Sequence, residues 1–367
     1  MRRCLAEPVR LTPALRWRAF SWLCEALRLP AGGDPTHLRW PEDPDETAAL
    51  ITLAGYHMVT PALAPVLSGN TTLPPRVADY LEAAALLNRD RNTLMLEAVG
   101  TIAASLAHVG IDAVFLKGGA NLASGLYSDP ATRLMGDLDI LVPPEQAWRA
   151  GAVLAAQGFA DIDAPPRLVA GRLHHLPMQR HALTGVGVEV HHRLLPERLR
   201  GLLDTGEALR SAVSIDLTGQ RVAILAPPWR ILHNVVHDQI TDQAFSRRTC
   251  ELRQSLDLAL LWNRHADSLD RAALAAMLPA QIRPILGHAL ALAGLLGAAS
   301  ADQDQIAWAR HRIQGGVEYP RTHLRRFTAD ICHRLTAQPR TFLNLLLPAA
   351  WGRGRARLLD QLRRPLV

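Results

Sequence analysis

The chain has 367 residues, of which 49% are hydrophobic and 20% are charged, a balance that excludes a wholly disordered protein. This length exceeds one compact core, so we expect two or three packed units. The net charge of +6 favours anionic partners, such as nucleotides, phosphorylated substrates, RNA or acidic membrane surfaces, but does not distinguish among them.

The N-terminal region, residues 1–105, is predicted to be helical because apolar residues recur at helical spacing in 13–29 and 76–107. Charges interrupt its first residues, so no signal peptide is predicted. The four cysteines of the chain are scattered without a CxxC pair, which argues against a zinc ribbon or a disulfide framework and fits a reducing compartment. We therefore expect a cytoplasmic protein.

The central region, residues 106–226, has short apolar segments separated by turns, which predicts a small β-sheet with interspersed helices. Helices are predicted at 120–127 and 145–157. The predicted strands are, in chain order, 112–116, 137–142, 178–183, 188–194, 213–217 and 221–225.

The C-terminal region, residues 227–367, is predicted to be helical again, with a basic tail at 353–364. That tail is expected to be a solvated helix, with an amphipathic helix that touches a partner or an acidic surface as the alternative. The most apolar stretches, 289–299 and 341–351, fall short of the roughly 20 residues that span a bilayer, so each is predicted to be a buried helix. The predicted fold class is therefore α+β, a small mixed β-sheet core flanked by N-terminal and C-terminal helical regions, without a membrane span.

A glycine pair follows the first predicted strand. Lys117, Gly118 and Gly119 come directly after strand 112–116 and precede a predicted helix. Glycine lets the backbone approach a phosphate closely, a helix N-terminus offers N–H groups to an anion, and a lysine contacts a triphosphate as a point charge. Lys117 is also the only lysine of the chain, and an arginine is a poor substitute for a compact ammonium. The alternatives are a plain strand-to-helix turn and the chance survival of one lysine.

Two carboxylates lie two positions apart on the next predicted strand. Asp137 and Asp139 would share one face, roughly 6.6 Å apart, while Leu138 and Ile140 face the core. Hard divalent cations such as Mg²⁺ prefer carboxylate and phosphate oxygens, and a two-metal site separates its ions by about 3.5–4 Å. The pair therefore predicts a metal site, with two surface polar positions as the alternative.

A third carboxylate lies between two valines on the predicted strand 188–194. Since Glu189 does not fit an apolar position, it is predicted to complete the metal site or to accept a proton from an attacking hydroxyl. His191 lies on the same face and is predicted to contact phosphate or acceptor, or else to hydrogen-bond to Glu189.

Other histidines give weaker signals. His233 and His237 have the i, i+4 spacing of zinc ligands on a helix. Because the glutamate of HExxH is absent, they are predicted to pack against the core or to line an acceptor cleft. His174, His175 and His181 are predicted to be surface positions, with substrate contact as the alternative.

Together these elements resemble the pattern of the DNA polymerase beta superfamily of nucleotidyltransferases and, more narrowly, an uncharacterised bacterial nucleotidyltransferase family. The resemblance covers about residues 115–262, and the matching segments are LKGGANLASGLYSDPATRLMGDLDILV, VEVHHRLLP, ILAPPWRILHNVVHDQ and LRQSLDLALLW. By this resemblance, residues 106–226 are the nucleotidyltransferase core. Two departures are a longer gap before Asp137 and Gly119 in place of the usual serine.

The resemblance implies roles for individual residues. Gly118 and Gly119 would bind the triphosphate, and Arg133, in the loop before the carboxylate pair, would face phosphate or acceptor. The metal would be held by Asp137, Asp139 and Glu189.

The expected activity is transfer of a nucleoside monophosphate from a nucleoside triphosphate to an acceptor hydroxyl or phosphate, with release of pyrophosphate. The metal is expected to be Mg²⁺, with Mn²⁺ as a second possibility, and the acceptor is a small molecule, sugar, peptide or protein. The alternative is a nucleotide-binding sensor with the same fold and no catalysis. An RNA-directed transferase is disfavoured because aromatic residues make up only 5% of the chain and no stacking platform is evident.

Overall fold

The computed structural model describes residues 11–28, 36–161 and 174–314. The predicted tail at 353–364 and the predicted apolar helix at 341–351 lie outside these ranges. The helices within them are α1 (Pro13–Leu27), α2 (Pro44–Tyr56), α3 (Thr60–Val66), α4 (Pro75–His108), α5 (Lys117–Ala123), α6 (Ala147–Ala156), α7 (Thr205–Arg210), α8 (Pro227–Val236), α9 (Ala244–Arg247), α10 (Leu252–His265), α11 (Arg271–Ala276), α12 (Arg283–Leu295) and α13 (Gln303–Gln314). The strands are β1 (Val114–Phe115), β2 (Leu138–Leu141), β3 (Phe159–Asp161), β4 (Gln179–His181), β5 (Gly187–His191), β6 (Val213–Leu217) and β7 (Gln220–Ile224).

The strands form one mixed sheet in the order β3-β4-β5-β2-β1-β7-β6. β2 pairs in parallel with β5, β1 pairs in parallel with β7, and the other neighbouring pairs are antiparallel. In the β2–β5 register, Leu138 lies opposite Val188 and Ile140 opposite Val190. All four side chains are buried, each contributing roughly 1.5–3 kcal/mol. Their burial fixes the register and leaves the alternate positions of both strands facing the other way.

Helix α4 holds the loop that leads into β2. Its buried stripe includes Met95, Val99, Ile102 and Leu106, which repeat at the three- and four-residue spacing of one helix face. On the same helix, Asn88 Nδ2 donates to the carbonyl of Ala131 at 2.7 Å, and Asn92 Nδ2 donates to the carbonyl of Arg133 at 2.7 Å. The two amides therefore fix the loop 128–136 against α4.

The helices after β7 cover one end of the sheet. α8 begins with Pro227 and Pro228 in its first turn, where proline is favoured because no N–H partner is needed. Buried side chains from α1 to α13 form one connected apolar cluster. The division near residue 106 lies inside α4 and the one near residue 227 at the start of α8; both stay predictions. Within the described ranges no single helix has both the length and the apolar composition of a membrane span, although the sharply bent pair α2–α3 meets both criteria when taken together.

The predicted fold class, a small mixed sheet between two helical regions, is confirmed. Two elements differ in detail. α5 begins at Lys117 rather than at residue 120. The sequence predicted the later start because glycine has a low helix propensity, whereas the glycine pair lies inside the helix. β3 was not predicted from the sequence; it is an edge strand of three residues.

Candidate active site

Three side chains from β2 and β5 converge on one point. Asp139 and Glu189 are directly opposite in the parallel register, and His191 lies two residues further along β5, on the same face. His191 Nε2 is 2.8 Å from Asp139 Oδ1 and 3.5 Å from Glu189 Oε2. Among the described residues these three form the one cluster of at least three His, Cys, Asp or Glu side chains whose ligand atoms all lie within 4.8 Å of one another.

Asp137 lies next to this cluster without joining it. Its side chain is half-buried, directly before the first residue of β2. Burial, followed by the negative charges of Asp139 and Glu189, raises the pKa of Asp137 to about 6, against the opposing effect of Lys117 and His191. The structure thus brings two of the three predicted metal-binding carboxylates together directly and leaves the third within electrostatic range. Metal binding by Asp137 stays a prediction.

Lys117 forms an ion pair with the cluster. Its Nζ is 2.7 Å from Asp139 Oδ1, the same oxygen that contacts His191. Although burial opposes it, the charge and hydrogen bond of Asp139 raise the pKa of Lys117. Burial likewise disfavours ionised Asp139, but Lys117 and His191 outweigh it and hold the pKa of Asp139 well below its usual range. In this state the ammonium binds Asp139, and its predicted contact with a triphosphate stays a prediction.

The backbone of Lys117 is strained. Its φ is +47°, a left-handed conformation that costs a non-glycine residue on the order of 1 kcal/mol. The residue lies between β1, which extends to Phe115, and the first turn of α5. The sharp change of direction places the start of α5 beside Asp139. A strained backbone conformation persists only where the surrounding structure holds it, and such residues cluster at functional sites.

The two glycines that follow are required by packing. A Cβ on Gly118 would lie 2.9 Å from Met135 Sδ, and one on Gly119 would lie 3.1 Å from Leu138 Cδ2. Glycine therefore lets α5 lie directly against β2 and the loop before it. Contact of these glycines with a triphosphate stays a prediction.

Arg133 is committed to a buried ion pair. Its Nε and Nη2 donate to Asp257 at 2.8 Å and 2.7 Å, and its Nη1 donates to the carbonyl of Leu134. Tyr127 adds a hydroxyl hydrogen bond of 2.6 Å to the same carboxylate. Burial opposes the ionisation of Asp257, but Arg133 outweighs it and lowers the pKa of that carboxyl. A phosphate could reach this guanidinium only if Asp257 gave way, so these contacts give the predicted phosphate role of Arg133 no support.

A narrow cleft opens beside Lys117. α8 and α10 supply much of its wall. Its lining residues are Lys117, Asn121, Leu225, Arg230, His233, Asn234, His237, Gln254, Asp257 and Leu261. The helices after β7 therefore shape a cleft next to the carboxylate cluster.

The histidine pair on α8 and after it lines this cleft. His233 and His237 have ring centroids 6.1 Å apart, and within the described ranges neither belongs to a three-residue ligand cluster. Burial, with the positive charge of Lys117, holds the pKa of His233 well below its usual value. Both histidines line the cleft, as predicted, and the absence of zinc from this pair stays a prediction.

Some site residues were underrated or missed by sequence reasoning. The rings of His174 and His175 lie 5.1 Å from that of His191, so two predicted surface histidines belong to the surroundings of the cluster. Asp257 and Arg230 were not singled out at all. Asp257 is 124 residues from its partner in the chain, so no local spacing could have revealed the pair.

The chain is similar to a solved structure and to one protein family. A solved structure of an antigenic nucleotidyltransferase-like protein from Paracoccidioides brasiliensis matches with a TM-score of 0.34 and 16% identity, over 58% of this chain and 96% of that one. No curated protein matches the sequence. The family model described as uncharacterised nucleotidyltransferase matches residues 43–297, a range that contains the carboxylate cluster and the whole cleft. The chain therefore belongs to this uncharacterised nucleotidyltransferase family.

Proposed function

We propose that the protein is a nucleotidyltransferase that uses a divalent cation to move a nucleoside monophosphate from a nucleoside triphosphate to an acceptor hydroxyl or phosphate, with release of pyrophosphate. The observation that carries this proposal is the β2–β5 register, which sets Asp139 opposite Glu189. Asp139 in turn pairs with Lys117, a residue of the cleft wall. Family membership supports it. The relationship to the DNA polymerase beta superfamily and to its bacterial members is part of the same proposal.

The donor set fits a divalent cation. The ligand atoms of two carboxylates and an imidazole all lie within 4.8 Å of one another, and the carboxylate oxygens among them suit Mg²⁺ or Mn²⁺. Asp139 and Glu189 would be the carboxylate ligands, and Asp137 would join them as a ligand or through its charge. A bound cation would neutralise the phosphate charge that develops during transfer.

The remaining residues of the site act on the substrates. Lys117 pairs with Asp139; once a cation binds that carboxylate, the ammonium is free to bind a phosphate oxygen. Burial raises the pKa of Glu189, but the His191 hydrogen bond together with the charges of His175 and His191 outweighs it, so the net pKa is lowered. Glu189 is therefore ionised near neutral pH, the form that ligates a cation; its second predicted role is to take a proton from an attacking hydroxyl.

Pyrophosphate release tests the proposal. The protein is incubated with Mg²⁺ or Mn²⁺, each of the four common nucleoside triphosphates and a cell extract, and the products are examined by mass spectrometry for nucleotidylated acceptors. We expect release that depends on the metal and that falls by about 100-fold or more in Asp139→Asn and Glu189→Gln, because removing one electrostatic group of a preorganised site has effects of this size.

The matched control is Asp90→Asn, an exposed carboxylate on α4, which should retain full activity. Tight nucleotide binding without turnover in any extract would instead support the non-catalytic sensor. Equal activity of Asp139→Asn and the wild type would rule out the proposed site.

A further inference from the structure

Arg230 is a buried cation without a counter-ion among the residues that the structure describes. Its side chain is 7% exposed and lines the cleft. Its Nη2 donates to Asn121 Oδ1 at 2.7 Å and to Ser124 Oγ at 3.0 Å, both neutral acceptors. Its Nε has no hydrogen-bond partner, and none of the described carboxylates lies within ion-pair distance of it. A buried charge is normally paired because its desolvation is costly.

The nearest negative charge is already used. Asp257 also lines the cleft, but both of its oxygens accept from Arg133. Burial and the positive charge of Arg264 outweigh the attraction of Asp257 and lower the pKa of Arg230 to about 10. Arg230 therefore stays charged at neutral pH without a carboxylate of its own.

The charged side chains at the cleft leave one positive charge uncompensated. Lys117 is balanced by Asp139 and Arg133 is balanced by Asp257. His233 is held neutral by burial, which with nearby positive charge keeps its pKa well below the usual value. The charge of Arg230 is the one that these contacts leave uncompensated, so the cleft complements a ligand with a negative group.

The position of Arg230 separates it from the metal cluster. It contacts α5 at Asn121, one helical turn after Lys117, which is about 6 Å along the helix axis. An anion at Arg230 would therefore lie in the cleft that Lys117 also lines, beside the cluster rather than within it.

We propose that Arg230 binds an anionic group of a substrate, a phosphate or a carboxylate, one helical turn from the Lys117–Asp139 pair. The assignment of that group to a substrate rests on the proposed function; the anion site itself does not. Two sources carry the required chemistry, the terminal phosphates of the nucleoside triphosphate and an acceptor that is itself phosphorylated or carboxylated.

The test compares Arg230→Met, which keeps an apolar stem, with Arg230→Lys, which keeps the charge. Calorimetry measures the binding of inorganic phosphate and, separately, of ATP with Mg²⁺ to the full chain. We expect Arg230→Met to weaken phosphate binding at least fivefold and Arg230→Lys to retain most of it. If ATP binding weakens in parallel, the group belongs to the triphosphate; if it is unchanged, the group belongs to the acceptor.

Thermal unfolding without ligand separates binding from a structural role. Removing an uncompensated buried charge should leave the melting temperature of Arg230→Met equal to or above that of the wild type, whereas loss of a structural contact would lower it. Arg221→Met, an exposed arginine on β7, is the control and should bind both ligands normally. Unchanged affinity of Arg230→Met for both ligands, or a melting temperature several degrees lower with no rescue of binding by Arg230→Lys, overturns the proposal.

A variant of the metal site distinguishes failure of the anion-site proposal from failure of the proposed transferase activity. Asp139→Asn should lose turnover and keep phosphate binding at Arg230. A wild-type protein that binds phosphate through Arg230 but never releases pyrophosphate would therefore sink the proposed activity and leave the anion site in place.

Discussion

At the scale of single residues, Asp139 is the centre of the site. One of its oxygens accepts from both Lys117 and His191, and the ammonium and the imidazole together compensate a carboxylate that is only 5% exposed. Charge-assisted bonds of this kind are roughly twice as strong as neutral ones. Without substrates, the contacts of Asp139 with Lys117 and His191 hold the site together, and binding of a cation and a phosphate would rearrange these contacts.

The imidazole among the donors predicts a metal preference. Mg²⁺ favours all-oxygen sites, whereas the divalent first-row metals, of which Mn²⁺ is the first, also bind sites of mixed nitrogen and oxygen donors. We expect the wild type to bind Mn²⁺ more tightly than Mg²⁺, and His191→Gln to weaken Mn²⁺ binding by about 10–100-fold with a smaller effect on Mg²⁺. Titration calorimetry with each chloride salt, supported by the spin-resonance signal of bound Mn²⁺, measures this.

The control for that prediction is His181→Gln. His181 is on the neighbouring strand β4, outside the ligand cluster, so its loss should leave both affinities unchanged. If His191→Gln lowers the affinities for Mn²⁺ and Mg²⁺ equally, or changes neither affinity, the imidazole is not a ligand.

Alternation along a strand explains which site residues the sequence could predict. Glu189 and His191 share a face because strand side chains alternate, and the valine flanks of Glu189 indicated that face. Arg133 was expected at phosphate because it lies in the loop before the carboxylates, but its partner Asp257 lies far along the chain. Arg230 carries no local signal of its missing counter-ion, which only the packed structure reveals.

At the scale of elements, the loop before β2 is held from two sides. Asn88 and Asn92 of α4 bind its carbonyls, and Arg133 connects it to Asp257 on α10. The loop leads into the strand that carries Asp139, so these contacts set the position of the carboxylate cluster. α10 therefore contributes to the site without supplying a metal ligand.

Breaking this connection should cost stability. Asp257→Asn leaves the guanidinium of Arg133 buried without a counter-charge, and removing one partner of a buried ion pair costs about 3–5 kcal/mol. Urea denaturation should show that loss, and the double variant Arg133→Met with Asp257→Leu should recover most of it, because an apolar pair needs no counter-charge.

The surface pair Arg193–Glu197 provides the comparison. Glu197→Gln should change the free energy of unfolding by less than about 1 kcal/mol, as exposed ion pairs do. A similarly small effect of Asp257→Asn would contradict the positioning role of the buried pair.

The sequence predicted the bounds of a helix correctly where one local sequence signal dominates. The stripe of α4 and the two prolines that open α8 gave bounds close to those of the structure. The start of α5 was misplaced because helix propensity alone excludes two glycines, whereas close packing on β2 requires them. The short edge strand β3 has too few residues to show a period.

At the scale of the whole molecule, the α+β class followed from the change in hydrophobic period near residue 110. The strand order did not, because it depends on pairing between segments far apart in the chain, such as β1 with β7. Buried side chains from all three predicted regions belong to one connected core.

One buried acid should make the stability of that core depend on pH. Asp238 is 4% exposed and lies in a single π-helical turn, His237–Thr241, that follows α8. Burial, followed by the negative charge of Glu251, raises its pKa to about 8. Because the folded state binds this proton more tightly than the unfolded state, where the pKa is about 3.9, the acid contributes its full stability below pH 4 and loses it as pH rises through 8.

Asp238→Asn removes the titrating group and should flatten that part of the profile. At about 1.4 kcal/mol per unit of pKa shift, the stability of the variant relative to the wild type should increase by up to roughly 4 kcal/mol between pH 5 and pH 8. Urea denaturation of both proteins at half-unit pH intervals measures the difference, with Asp90→Asn as an exposed control whose profile should run parallel to that of the wild type. If Asp238→Asn also runs parallel, the carboxyl is ionised in the folded protein throughout this range, and a compensating cation must reach it within the packed core.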